Sequence, residues 1–291
     1  MSHKSGFVNI IGNPNVGKST LMNTIIGEQL SIITNKAQTT RHRILGILNH
    51  DNYQIIFSDT PGILDPSYKL QENMMNVVKS SFEDADILIY IVEVNEHAIK
   101  NTWILDKMKN CSIPLILLIN KIDLSKQEEV KNKVTYWNKI LPNAEILPIS
   151  ALNKFNIDLV LNKVIELLPK NLPYYEKDSI TDKSERFFVE EIIREKILKH
   201  YKKEIPYSVE IKIEEFINED QIIKIRAIIY VMRESQRGII IGHQGKGIKR
   251  IGSEARKDIE KFLSKKVFLE TPVKVKKNWR NDEKQLKNFG Y

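Results

Sequence analysis

One cysteine, Cys111, stands in 291 residues, so no internal disulfide can form. That scarcity favours a reducing compartment and leaves Cys111 as a small residue ahead of a strand. The chain also lacks any apolar run long enough to span a bilayer, which needs about 20 residues. Its longest, Ile87–Val92 and Leu115–Ile119, suit buried parallel strands. No apolar leader precedes the first strand, since Met1-Ser2-His3-Lys4-Ser5 is polar, so a signal peptide is not expected. Internal repeats and low-complexity tracts are missing too. Finally, the last quarter is poor in acid. From Gln221 onward 18 Lys and Arg face 7 Asp and Glu, a net +11, whereas the first 175 residues carry only +1. A polyanion partner is therefore expected for the C-terminal part.

Strands alternate with helical patterns from Phe7 to about Leu168, the signature of an α/β domain with a mostly parallel sheet. An antiparallel hairpin, Arg43–Leu48 with Tyr53–Phe57, is the expected exception. Ligands in such sheets bind beyond the carboxyl ends of strands, so motifs that follow strands carry most weight.

Gly12-Asn13-Pro14-Asn15-Val16-Gly17-Lys18-Ser19 follows the apolar run Phe7–Ile11 and opens a helical segment. This context fits a Walker A loop, whose backbone N–H groups and helix N-terminus cradle phosphates. Lys18 would reach the terminal phosphates and Ser19 would hold Mg²⁺. Asp59-Thr60-Pro61-Gly62 follows the next strand, where the carboxylate can hold Mg²⁺ and the Gly62 N–H can meet a γ-phosphate. Asn120-Lys121-Ile122-Asp123 follows Leu115–Ile119, and Asp123 can accept two hydrogen bonds from the edge of guanine that adenine does not offer. Such pairing can discriminate by roughly 10⁴ to 10⁵. Ser150-Ala151-Leu152 would add a backbone N–H to the guanine O6.

In this order the motifs resemble the translation-factor class of GTPases. The resemblance implies a loop that supplies a threonine to Mg²⁺ when GTP is bound, here Asn35–Arg43, with Thr40 in that role and Thr39 as its rival. It also bears on mechanism. Ile63 stands where Ras-like proteins carry a water-orienting glutamine, and an alkyl group neither donates to nor accepts from water, so slow unassisted hydrolysis is expected. Lys18, Thr40 and Gly62 are the expected catalytic groups. Asn15 resembles the asparagine that ligates K⁺ in cation-dependent relatives, although it could equally shape the turn.

Helical spacing stops near Leu168, and Pro169–Asp178 carries two prolines with little periodicity. We read residues 1–168 as a GTP-binding domain, 169–183 as a linker and 184–291 as a second, α+β domain. Its expected order is a helix from Ser184 to Tyr201, a hairpin of Ser208–Phe216 and Gln221–Val231, two helices, and a strand over Lys266–Val275. Ile241-Gly242-His243-Gln244-Gly245 between the helices resembles the GXXG loop of type-II KH domains, which takes about four unpaired nucleotides. Lys246, Lys249 and Arg250 flank it where phosphates would run. His243 and Gln244 are expected to be solvent-facing spacers.

A P-loop GTPase domain followed by a type-II KH domain resembles the Era family. Gln38–Arg43, Ser184–Phe187, Glu204–Ser208 and Val275–Arg280 carry the distinctive parts of the likeness. It implies a GTPase switch with Mg²⁺, GTP or GDP, and K⁺ as a further candidate ion. The expected partners are the 3′ end of small-subunit ribosomal RNA and the maturing small subunit, with the protein a monomer in the cytoplasm and in some members loosely on the inner membrane. Two other readings remain open from residues alone. A membrane-surface GTPase would use the basic end for anionic lipid, and a small-molecule phosphotransferase would use Gly12–Ser19 with an acceptor pocket.

Overall fold

The alternation of apolar runs and helical spacing builds, in the computed structural model, which describes residues 3–96 and 101–291, two compact units. Met1 and Ser2 of the polar start lie outside the described residues. The first unit runs to Asp65 and resumes from Met74 to Asp182; the second takes Pro66–Asn73 and Lys183–Tyr291.

A six-stranded sheet organises the first unit. Its strands are β1 (Lys4–Gly12), β2 (Ile44–Asn49), β3 (Tyr53–Asp59), β4 (Ile87–Glu93), β5 (Leu115–Asn120) and β6 (Glu145–Pro148), in spatial order β2-β3-β1-β4-β5-β6. Only β2 runs antiparallel, against β3. The expected hairpin is therefore present, joined by the turn between Asn49 and Tyr53. Every residue of β5, and every residue of β4 except Glu93, is buried or nearly so, as strands covered on both faces require. The helices α1 (Lys18–Ile26), α2 (Lys69–Ser80), α3 (Thr102–Lys109), α4 (Gln127–Ile140) and α5 (Ile157–Leu167) connect them. Because the strands are parallel, the segments after β1, β3, β5 and β6 emerge at one edge. All four motifs lie there.

The prolyl segment beyond Leu168 is fastened to this unit. Pro169 O accepts from Ser5 N–H at 3.1 Å, Ile180 O from Ile47 N–H at 2.9 Å, and the Asp182 carboxylate from Leu45 N–H at 3.2 Å. Gln54, 1% exposed, is the central tie. Its Oε1 accepts from Tyr174 N–H (2.7 Å) and Tyr175 N–H (3.0 Å), and its Nε2 donates to Tyr175 O (2.8 Å) and Asn49 Oδ1 (2.7 Å). Prolines remove backbone donors and suppress helix, so side chains and the outer edge of β2 satisfy this segment instead. Periodicity cannot register such a strap, because none of its contacts repeats.

In the second unit, helix α6 (Glu185–His200) starts at Ser184, whose Oγ accepts from Phe187 N–H at 3.4 Å as an N-cap. A short α7 (Ile205–Ser208) leads to the antiparallel pair β7 (Glu210–Asn218) and β8 (Ile222–Val231). Helices α8 (Glu234–Ile241) and α9 (Lys246–Leu263) follow. Ile251, Ala255 and Ile259 repeat every four residues on α9 and are fully buried against the sheet, each isoleucine worth roughly 1.5–3 kcal/mol. The single strand expected over Lys266–Val275 is broken into β9 (Lys266–Glu270) and β10 (Val273–Val275), both parallel to β8. Pro272 lacks the N–H that a continuous ladder needs, while its carbonyl accepts from Ile229 N–H at 2.9 Å. Past Val275 the sequence analysis places no further element. The structure forms a further helix, α10 (Glu283–Phe289), and buries Trp279 completely with its Nε1–H on Ser208 O at 3.1 Å.

Replacing Gln54 with alanine leaves the backbone groups of Tyr174 and Tyr175 unpaired. The expected loss is about 1–3 kcal/mol of unfolding free energy together with faster chymotrypsin cleavage at these tyrosines. Cleavage at the wild-type rate would contradict the strap.

Candidate functional site

The phosphate loop follows β1 as the sequence suggested. Gly17 adopts φ +104°, and a Cβ there would lie 2.2 Å from Asn120 Nδ2. Only glycine accepts both the backbone conformation and the approach of the Asn120 loop. Lys18 folds back into the loop, its Nζ donating to Gly12 O (3.1 Å) and Asn13 O (2.8 Å). Burial lowers its pKa to about 8, against the opposing pull of Asp59 and Glu96. An anion placed among these donors would restore the ammonium's preference for its charge.

At the floor of the loop three oxygen-bearing side chains from distant segments meet. Ser19 Oγ donates to Asp59 Oδ2 at 2.6 Å and lies 3.1 Å from Thr40 Oγ1, which in turn donates to Asp59 Oδ2 at 3.3 Å. The Thr39 hydroxyl turns elsewhere, donating to Lys36 O at 2.6 Å, so of the two threonines Thr40 is the one whose hydroxyl meets Asp59. Asp59 is fully buried, burial raises its pKa, and its Oδ1 has no hydrogen-bond donor. A desolvated carboxylate with one idle oxygen beside two hydroxyls is a hard-oxygen donor set, and these residues fit Mg²⁺.

The turn after β3 lies against the phosphate loop. Thr60 Oγ1 donates to Ile10 O at 2.7 Å, and Ile63 N–H donates to Gly12 O at 3.1 Å. A Cβ on Gly62 would meet Pro14 Cα at 2.8 Å, so the turn reaches this position only as glycine. Pro61 is buried in the same turn. Ile63 packs into the hydrophobic core with Ile11 and Tyr90 and is largely buried.

The base-recognition segments close the other end. Asn120 Nδ2 donates to Val16 O (2.8 Å) and its Oδ1 accepts from Ala151 N–H (2.9 Å), joining the loops after β1, β5 and β6. Ala151 N–H is thus committed to Asn120, where sequence reasoning had a backbone N–H of this segment meet the base. Ser150 Oγ donates to Asp123 Oδ1 at 2.5 Å and steers that exposed carboxylate. Lys121 Nζ donates to Asn15 O at 2.7 Å and pairs with Glu93. Glu93 and Glu96, which holds Asn13, went unnoticed in the sequence. The available signal was a carboxylate ending an otherwise apolar strand. A cavity of about 470 Å³ connects the two ends, lined among others by Lys18, Ser19, Thr40, Asp123 and Leu152. Asn15 sits at φ +66° with Nδ2 donating to Asn35 O at 3.0 Å.

In the second unit the segment after α8 turns tightly, with left-handed φ at Gly242 (+71°), Gln244 (+50°) and Gly245 (+73°). His243, Gln244, Lys246, Lys249 and Arg250 are exposed, while Ile241 is half-buried beneath them. Tyr201 Oη donates to Ile240 O at 2.8 Å and props the turn from below. Backbone and cations are therefore presented together.

Known proteins share both halves. The family model described as a 50S ribosome-binding GTPase matches residues 7–121, and that of the KH domain matches residues 204–280. GTPase Era of Staphylococcus haemolyticus is 44% identical over 291 residues, covering 99% of this chain and 97% of that protein. The crystal structure of Era in complex with MgGDPNP and nucleotides 1506–1542 of 16S ribosomal RNA superposes with a TM-score of 0.95 at 38% identity, covering 99% of each chain. A variant of Aquifex aeolicus Era bound to GDP·AlF4⁻ gives the same values.

Asp123→Asn converts an acceptor into a donor toward the purine edge. The expected result is a preference for xanthine over guanine nucleotides by roughly two or more powers of ten, read from competition binding; unchanged guanine preference would remove Asp123 from base recognition.

Proposed function

The chain belongs to the Era family of GTPases, and on that premise we propose that it is a GTP-hydrolysing switch that binds the 3′ segment of small-subunit ribosomal RNA and acts in maturation of the small ribosomal subunit. The carrying observation is that Ser19 and Thr40, both bonded to the buried Asp59, line one cavity with Asp123 and Ser150, in a chain that also presents a GXXG loop. The relative with 0.95 TM-score was crystallised with MgGDPNP and a 16S RNA segment, which supports the same ligand classes for this chain. We assign residues 1–168 to nucleotide binding, 169–183 to the connection and 184–291 to RNA binding.

Lys18 would exchange the Gly12 and Asn13 carbonyls for the terminal phosphates, a charge-assisted contact in a desolvated site. Bound Mg²⁺ supplies positive charge to the phosphate oxygens, and Ser19, Thr40 and Asp59 are the residues that would hold it. Thr40 reaches the site only when its loop is closed, which links loop order to the γ-phosphate. Gly62 brings its backbone against the phosphate loop, where its N–H would meet the same group. Ile63 leaves the attacking water without a side-chain partner, so intrinsic turnover is slow. Asn15 keeps its amide nitrogen on Asn35 O, and its Oδ1 would accept K⁺. Ile241–Gly245 would seat unpaired nucleotides while Lys246, Lys249 and Arg250 contact phosphates. We place the protein in the cytoplasm, with the basic end able to meet anionic lipid at the membrane surface. No described helix is long and apolar enough to cross a membrane.

Binding to an oligonucleotide matching the 3′ end of small-subunit ribosomal RNA, against a scrambled control at fixed salt, tests the proposal. Tighter binding to the matched RNA with a GTP analogue than with GDP is expected, and equal weak binding throughout would refute it. Lys18→Ala should weaken nucleotide binding by roughly a hundredfold or more, as removal of a buried charge-assisted contact does, with RNA binding retained in the nucleotide-free protein. Equal turnover in KCl and NaCl would eliminate the K⁺ role.

A further inference from the structure

Three residues beyond Thr40 and immediately before β2, Arg43 sends its side chain to three separate segments of the first unit. Its Nε and Nη2 both donate to Ser58 Oγ, at 3.1 and 2.9 Å. Nη2 also donates to Asn9 Oδ1 at 3.0 Å, and Nη1 pairs with the Asp84 carboxylate. Asn9 closes the circuit, its Nδ2 donating to Asp84 Oδ1 at 2.6 Å and to Ser81 O at 2.7 Å. Asn9 and Ser58 are fully buried. One guanidinium therefore joins the start of β2, the middle of β1, the end of β3 and the turn that follows α2.

The position gives this arrangement its meaning. The ladder between β2 and β3 ends with Ile44 opposite Asp59. Above that pair the chain divides: one branch leads back through Arg43 to Thr40, and the other leads forward from Asp59 to Gly62. Arg43 stands on the first branch one residue from the fork, and Ser58 lies in the ladder one residue before Asp59, so the guanidinium anchors the Thr40 branch to the strand that ends in Asp59. Neighbouring residues of a strand face opposite sides of the sheet, so Asp59 enters the phosphate site while Ser58 faces the guanidinium.

We infer that Arg43 is a positioning residue for the GTP-bound state: by tying Ser58, Asn9 and Asp84 together it holds Thr40 and Asp59 at the separation that closure on Mg²⁺ and the γ-phosphate requires. This rests on the guanine-nucleotide reading of the site. A lysine replaces it only in part, because one ammonium lacks the planar fork that reaches three acceptors in fixed directions. GDP, which has no γ-phosphate to recruit Thr40, depends on the clamp far less.

The test compares dissociation constants for GDP and for a non-hydrolysable GTP analogue across a Mg²⁺ titration, in wild type, Arg43→Ala, Arg43→Lys and Ser58→Ala. For Arg43→Ala we expect GDP affinity within about twofold of wild type and analogue affinity reduced about tenfold, equivalent to about 1.4 kcal/mol. The Mg²⁺ concentration for half-saturation with the analogue should rise in step. Arg43→Lys should recover only part of the loss, and Ser58→Ala, which keeps the ties to Asn9 and Asp84, should lie between. Variants with wild-type Tm that keep the wild-type analogue-to-GDP ratio and Mg²⁺ dependence would overturn the inference. Should Arg43→Ala fail to fold, the same readout on Ser58→Ala decides. A wild-type protein that binds neither nucleotide would instead overturn the GTPase reading itself.

Discussion

A fully buried carboxylate at the end of β3 is the constraint on which the first unit turns. Asp59 sits in low dielectric with one oxygen held by the hydroxyls of Ser19 and Thr40 and the other without a donor. Such an arrangement is costly on its own and becomes favourable when a cation and phosphates arrive. The nearby Lys18 shows the complementary situation: its ammonium is desolvated and satisfied by main-chain carbonyls that point into the loop. Opposite charges are thus stored close together without a direct pair, and the missing partners of both are those that a nucleotide with Mg²⁺ would bring.

The parallel sheet makes this storage possible. Its strands deliver four separated sequence segments to one edge, and side chains then cross-link the loops that leave that edge. Asn120 ties Val16 to Ala151, Lys121 ties Asn15 to Glu93, and Asn13 reaches Glu96. The phosphate end and the base end are consequently one rigid frame. The Thr40 segment leaves the sheet before Ile44 and brings the Thr40 hydroxyl to Ser19 and Asp59 from outside that frame. Arg43 stands where that frame and the Thr40 segment meet.

The second unit separates stability from function in a similar way. Its apolar stripe on α9, the sheet and the buried Trp279 form the core, while the tight turn after α8 keeps backbone and cations exposed. The carboxylates of α9 are drawn toward neighbouring residues, Glu254 to His200 and Asp258 to Lys196. Lys246, Lys249 and Arg250 stay near the glycine loop, in keeping with a polyanion partner.

Sequence by itself determined the alternating order of the first half, the main helices and the hairpin of the second, the four nucleotide motifs and the glycine loop, because each depends on local spacing: apolar period, turn residues and short runs that follow strands. A guanine nucleotide was the expectation for the same reason, from the short run Asn120–Asp123 that follows a strand. Only the tertiary structure separated the surroundings of Thr40 and Thr39, because both are threonines in one loop and only the packing of that loop sends one hydroxyl to Asp59 and the other to Lys36 O. It alone revealed the strap from Pro169 to Asp182 on β2, the break at Pro272, the C-terminal helix around Trp279, and the reach of Arg43, Glu93 and Glu96. These rest on contacts between residues far apart in the chain, which leave no period and no motif in the sequence.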